Sequence, residues 1–87
     1  MPRARKRLPG GLQELTRSEW ERLIREANYG EENTQIAELY FIDQLTQGEI
    51  AVEMDMRRPT ITVRLEKMIE RAQKVAQQLD MIKKQGA

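Results

Sequence analysis

From Thr16 onward, apolar side chains recur at helical rather than strand intervals. Trp20, Leu23, Ile24 and Ala27 stand at i, i+3, i+4 and i+7, one face of a helix. Thr16 and Glu19 open it as a capping box, in which each side chain satisfies the other residue's free backbone donor. "NYG" closes it, with Gly30 expected as the left-handed cap. A second helix is predicted from about Glu32 to Ile42, with Ile36, Leu39 and Tyr40 inward. Thr46 and Glu49 form another capping box, which starts a short third helix with Ile50, Ala51 and Met54 apolar. A long fourth helix is predicted from Arg58 to Lys84. β-branched residues never alternate over a strand's length, so the expected fold is all-α: a small helix-turn-helix domain of about four helices. Residues 1–14, with "LPGG", show no periodicity and are expected to be a flexible basic arm.

The junction of the third and fourth helices carries the most specific pattern. Asp55 falls where the chain must turn, and Asp tolerates the left-handed conformation better than most residues. Pro59 falls in the first turn of the next helix, where its missing N–H costs nothing. Ile50, Met54, Met56, Ile61 and Leu65 would fill the wedge between the helices, and Ala51 is small where they approach. A short helix, a tight turn and a second helix anchored at these offsets predict a helix-turn-helix over residues 15–70. Arg57, Arg58, Thr60, Thr62, Val63 and Arg64 would then point outward, with Lys67 one turn further. Arginine can bond guanine at two points, and threonine or valine methyls can pack on the thymine methyl. Thr46 and Gln47, at the start of the third helix, are placed to meet phosphate. The bland alternative is a helical hairpin with a solvated basic face.

Charge sharpens this picture. The net charge is only +1, but it is segregated along the chain. Residues 1–10 hold Arg3, Arg5, Lys6 and Arg7 and no acid, whereas residues 11–56 hold eleven acids and three arginines. Residues 57–87 hold eight bases against three acids. Local field rather than total charge steers association, so two basic ends suggest a polyanionic partner such as double-stranded DNA. Histidine and cysteine are absent and Ser18 is the only serine, which removes disulfides, ordinary zinc sites and Ser-His or Cys-His nucleophiles. No enzyme, metal or cofactor is expected. No apolar run approaches the roughly 20 residues needed to span a bilayer, and nothing at the start reads as an export signal, so the expected location is the cytoplasm.

The "TQGEIA…RRPTITVRL" core resembles many prokaryotic helix-turn-helix regulators, including the DNA-binding region of sigma factors. From Leu15 to Ala72, the order "LTRSEW…I…G…TQIA…Q…GEIA…RRPTITV" is similar to the TrfB/KorA-type repressors of conjugative plasmids. That resemblance implies a transcriptional repressor that binds palindromic operators as a dimer. Arg58 matches an arginine of the family's recognition helix. Val63 stands where the family has a base-reading glutamine, Arg57 where threonine is common, and Asp55 in place of the turn glycine. These departures bear on which operator is read rather than on the binding mode. Only the long helix follows where the family has a separate C-terminal dimerisation domain.

That helix predicts its own partner. Ile61, Leu65, Met68, Ala72, Val75, Leu79 and Ile82 are separated alternately by four and three residues, a heptad seam. A helix from Arg58 to Lys84 would run about 40 Å, beyond what three short helices can cover. Residues 71–87, through Ala72, Val75, Ala76, Leu79 and Ile82, are therefore expected to form a homodimer, the alternatives being that the helix folds back as an ordinary core helix or frays beyond Gln77. Two other readings remain open: a sigma-like or activator fragment that contacts RNA polymerase or a co-regulator, and a helical protein–protein adaptor without a DNA role.

Overall fold

The computed structural model describes residues 8–82. Arg3, Arg5, Lys6 and Arg7, the charged part of the expected arm, lie outside those residues. The chain forms a 3₁₀ turn at Leu12–Glu14, then α1 (Arg17–Ala27) and α2 (Glu31–Ala37), which runs into a π-helical turn at Glu38–Ile42. α3 (Gln47–Glu53) and α4 (Arg58–Gln78) follow, and no strand occurs among the described residues. The expected all-α domain of four helices with a long last helix is the observed one.

Both capping boxes form. The Glu19 N–H donates to the Thr16 hydroxyl at 3.2 Å, while the Thr16 N–H donates to the Glu19 carboxylate at 2.9 Å. The same reciprocal pair closes at Thr46 and Glu49, at 3.2 and 2.8 Å. Such a cap contributes about 0.5–2 kcal/mol, and here two of them set the first residues of α1 and α3. The close of α1 departs from expectation: Asn28, with φ 54 and ψ 55, is the left-handed cap. Gly30 instead starts α2 with φ 91 and ψ 163, a conformation that a Cβ strongly disfavours. Each residue does what its chemistry allows, asparagine in the αL region and glycine in the wider one.

The second helix also differs. The Asp43 N–H reaches back five residues to the Glu38 carbonyl at 3.0 Å, widening the last turn. Ile36, Ala37, Tyr40 and Phe41 are buried, while Leu39, read as inward, is half-buried. Phe41 stacks on Trp20 with ring centroids 4.2 Å apart and planes 6° from parallel, and Tyr40 meets Phe41 edge-on at 5.3 Å. Offset stacks and edge contacts of this kind contribute about 0.5–1.5 kcal/mol beyond burial. They tie α1 to the π turn.

α4 is the spine of the molecule. Ile61, Leu65, Met68, Ala72 and Ala76 are all buried along one face. The last step runs from Ala72 to Ala76, not to Val75, so the buried line keeps the 3.6-residue period of a straight helix and leaves the 3.5-residue period of a coiled coil. Its second half is covered from within the chain. Leu12 is fully buried against the core, and Leu8, Leu15, Val75, Leu79, Met81 and Ile82 pack around it. A Cβ on Gly11 would stand 3.1 Å from the Ile82 side chain, a tight contact that the isoleucine would have to relieve by shifting a few tenths of an ångström.

Two expectations are thereby corrected. Residues 8–14 are not an arm, because the single apolar residue of the 3₁₀ turn completes the core. In the seam, Ala72 and Ala76 are fully buried inside the chain, while Val75, Leu79 and Ile82 are half-buried and pack on the core. The helix also stops early: Leu79 caps it, Asp80 turns with φ 58, and the Met81 N–H returns to the Ala76 carbonyl at 2.8 Å. At 21 residues α4 is about 30 Å long rather than 40.

Candidate nucleic-acid interface

The turn between α3 and α4 closes as its residue types require. Met54 caps α3, Asp55 adopts φ 54, and the Met56 N–H donates to the Ala51 carbonyl at 2.9 Å. Ile50, Ile61 and Leu65 are buried between the helices, with Met54 and Met56 half-buried at the edge. Ala51, at the close approach, is 8% exposed, so a larger side chain would force the helices apart.

Against this wedge, α4 presents its first turn to solvent. Arg57, Arg58, Pro59, Thr60 and Val63 are exposed, Val63 at 52%. Neither Arg57 nor Arg58 has an ion-pair or hydrogen-bond partner among the described residues for its side chain. α4 begins at Arg57 without a side-chain cap, with Pro59 in the first turn and no acid there. α1 and α3 by contrast are closed by threonine–glutamate boxes. Pro59 has no N–H and the Thr60 N–H already donates to the Arg57 carbonyl at 3.1 Å, so the guanidiniums of Arg57 and Arg58, without a partner among the described residues, are what make this uncapped end of the helix attractive to an anion.

Thr62 links this end to α3. Its hydroxyl donates to the Gln47 side-chain oxygen and also sits 3.1 Å from the Arg58 carbonyl. With its oxygen engaged, the Gln47 amide has two N–H donors left over, aimed from the start of α3. Thr46 accepts from Glu49 through its hydroxyl oxygen and retains the hydroxyl proton as a donor. Thr46, Gln47, Arg57, Arg58, Thr60, Thr62 and Val63 thus form one continuous face.

Arg64 does not join it. Its guanidinium turns toward α2, where it pairs with Glu32 and donates to the Asn33 side-chain oxygen at 3.2 Å. Lys67 is exposed on the same flank. The sequence-based set therefore splits into a front surface and a side surface. The side surface contains residues that periodicity did not single out. Tyr29 donates its hydroxyl to the Met68 carbonyl at 2.7 Å, and Arg71 donates Nε to the Ala27 carbonyl at 2.5 Å. Burial pushes the Tyr29 phenol well above its ordinary value, with the Arg71 guanidinium pulling weakly the other way. The available signal was the recurrence of Arg64, Lys67 and Arg71 three and four residues apart, one flank of α4.

No group of histidine, cysteine or carboxylate residues able to hold a metal ion occurs among the described residues. No helix among them is long and apolar enough to cross a membrane.

Fold and surface together define a small all-α domain built around a helix-turn-helix. Compared with known families, curated proteins and solved structures, the chain finds no significant match.

Proposed function

We propose that this protein binds double-stranded DNA sequence-specifically and regulates transcription, most simply as a repressor that occupies promoter DNA in the cytoplasm. The observation that carries the reading is the joined front of α3 and α4. Arg57 and Arg58 have no partner among the described residues at an uncapped helix end, and the Thr62–Gln47 bond links the two helix starts. A helix of this bearing fits the major groove, with Arg58 and Val63 toward base edges and Gln47 and Thr46 toward phosphates. No catalytic role or cofactor belongs to this reading. Homodimeric binding to a palindrome, and kinship with the TrfB/KorA-type repressors, enter only through the resemblance of the Leu15–Ala72 pattern. A dimer interface would then exclude Ala72 and Ala76, which are buried within the chain.

Arg58→Ala tests it. The variant should lose about 1–3 kcal/mol on the specific site and relax preference at one base position. Gel-shift titration on selected and random duplexes measures both. Equal losses on the two would make Arg58 a phosphate contact and move base reading elsewhere. A second reading, contact with RNA polymerase or another protein, is favoured by an acidic groove of about 420 Å³ on the other side of α3. There Glu21, paired with Arg17, stands with Glu38, Asp43 and Glu53 around Leu39 and Met54, and Val52 of α3 is 83% exposed. A duplex shift that appears only when polymerase is added would favour that reading.

A further inference from the structure

Between the start of α2 and the middle of α4 lies a groove of about 410 Å³, walled by Tyr29, Asn33, Arg64, Lys67, Met68 and Arg71. It lies on the flank of α4 that faces α2. Its walls bring three cations and no carboxylate. Glu32, just outside, is spent on Arg64.

Three hydrogen bonds orient these walls. Tyr29 is held by the Met68 carbonyl, Arg71 by the Ala27 carbonyl through Nε, and Asn33 by Arg64 through its side-chain oxygen. What each bond leaves over is informative. Arg71 keeps both terminal amino groups, and Asn33 keeps its amide NH₂. Lys67 keeps its whole ammonium, and none of these groups has a partner among the described residues. The Tyr29 phenol stays protonated and adds no negative charge. The groups that are both free and fixed in direction are therefore donors, set on a cationic wall.

We infer that this groove binds a phosphate group, with the Arg71 fork and Lys67 supplying charge and Asn33 a neutral donor. Phosphate oxygens only accept at neutral pH, and a guanidinium held by Nε can still offer its two amino groups to two such oxygens. The volume lies within the range of small-molecule sites, roughly 300–1,000 Å³. Two sources share the chemistry: the backbone of a duplex on the front surface, or a free phosphorylated molecule of mononucleotide size. The first rests on the proposed DNA-binding function, and the second does not.

The experiment has two arms on the full chain. In the first, adenosine 5′-monophosphate is titrated into ¹⁵N-labelled protein, with adenosine as the phosphate-free control. In the second, duplex affinity is followed by anisotropy from about 50 to 200 mM salt, the span over which phosphate contacts dominate. The variants are Lys67→Gln, Arg71→Gln and, as a basic residue of α4 outside the groove, Lys74→Gln. Lys67 has no partner to lose, so its variant remains informative if Arg71→Gln unfolds. Saturable shifts at Tyr29 and Asn33 with the nucleotide alone, abolished by Lys67→Gln, identify a free phosphorylated ligand. A salt slope reduced by about 0.9 in Lys67→Gln, but unchanged in Lys74→Gln, identifies a backbone phosphate. A slope that falls equally in both lysine variants, without nucleotide shifts, overturns the groove as a site. So does an unchanged slope without shifts, and if Arg58→Ala still weakens binding the proposed function stands. If the wild type binds no duplex at all, the proposed function falls, and absence of nucleotide shifts then overturns the groove as well.

Discussion

At the scale of single residues, polar groups explain more of this molecule than their number suggests. Tyr29 and Arg71 both cross the gap from the end of α1 to α4, each satisfying a carbonyl on the other side. Tyr29→Phe should cost about 1 kcal/mol at neutral pH, the net worth of one hydrogen bond. Its pH dependence has a definite sign. The folded-state phenol holds its proton more tightly than an unfolded tyrosine, whose pKa is about 10. Above that value the unfolded state binds fewer protons than the native state, so stability falls as pH rises. The fall is absent below pH 10 and should be shallower in Tyr29→Phe. Urea midpoints for both proteins from pH 8 to 11 should therefore converge. A constant gap would mean that the phenol is not shielded as its burial implies.

At the scale of elements, the 3₁₀ turn is the smallest piece and has the largest consequence for the rest. Leu12 is its one buried residue, in one core with Ala72 and Ala76, and the turn packs on α4 with Gly11 beside Ile82. Truncating a buried leucine to alanine costs about 2–5 kcal/mol. Leu12→Ala should fall in that range, a large part of the stability of a domain this small. Chemical denaturation gives the magnitude. A loss under about 1 kcal/mol would show that the turn rests loosely on α4 and would reopen the Ala72–Ile82 face to a partner. α4 itself shows why its pattern misled. A heptad and a straight helix differ by only a tenth of a residue per turn, and over three turns the two select nearly the same positions. What separates them is whether Val75 or Ala76 takes the innermost place, and that depends on what lies opposite.

At the scale of the whole molecule, charge and shape divide the surface. The acidic residues of α1, α2 and the π turn lie on elements other than α4, while the start of α4 carries two arginines and no acid. Such a field orients the molecule toward a polyanion before contact and raises the rate of encounter. The four bases among residues 1–7 would add to it. Deleting those seven residues should leave the helical circular dichroism unchanged, since every described helix and core residue lies at Leu8 or beyond. It should also reduce the salt slope of duplex binding by up to about 3–4, at about 0.9 for each phosphate that is no longer neutralised. An unaltered slope would leave these bases with no part in binding.

The elements themselves were legible because their causes are local. A capping box needs only Thr16 and Glu19, or Thr46 and Glu49, three residues apart, and both formed. The turn at Asp55 and the place of Pro59 follow from backbone sterics within one residue, and the wedge of Ile50, Ile61 and Leu65 from periodicity along two adjacent helices. The outward set of Arg57, Arg58, Thr60 and Val63 is the complement of that wedge, so it too was readable. Tertiary structure alone decided three things. It turned Arg64 away from the front surface, because Glu32 and Asn33 on another helix offered it better partners. It assembled the Tyr29–Asn33–Arg71 groove from segments more than thirty residues apart, which no window along the chain joins. It buried Ala72 and Ala76 of the apparent dimer seam within one chain and brought Leu12 into the same core, because an isolated leucine in an aperiodic stretch has no signature until a helix presents the space that it fills. Burial is a property of pairs of surfaces, and one strand of sequence records only one member of each pair.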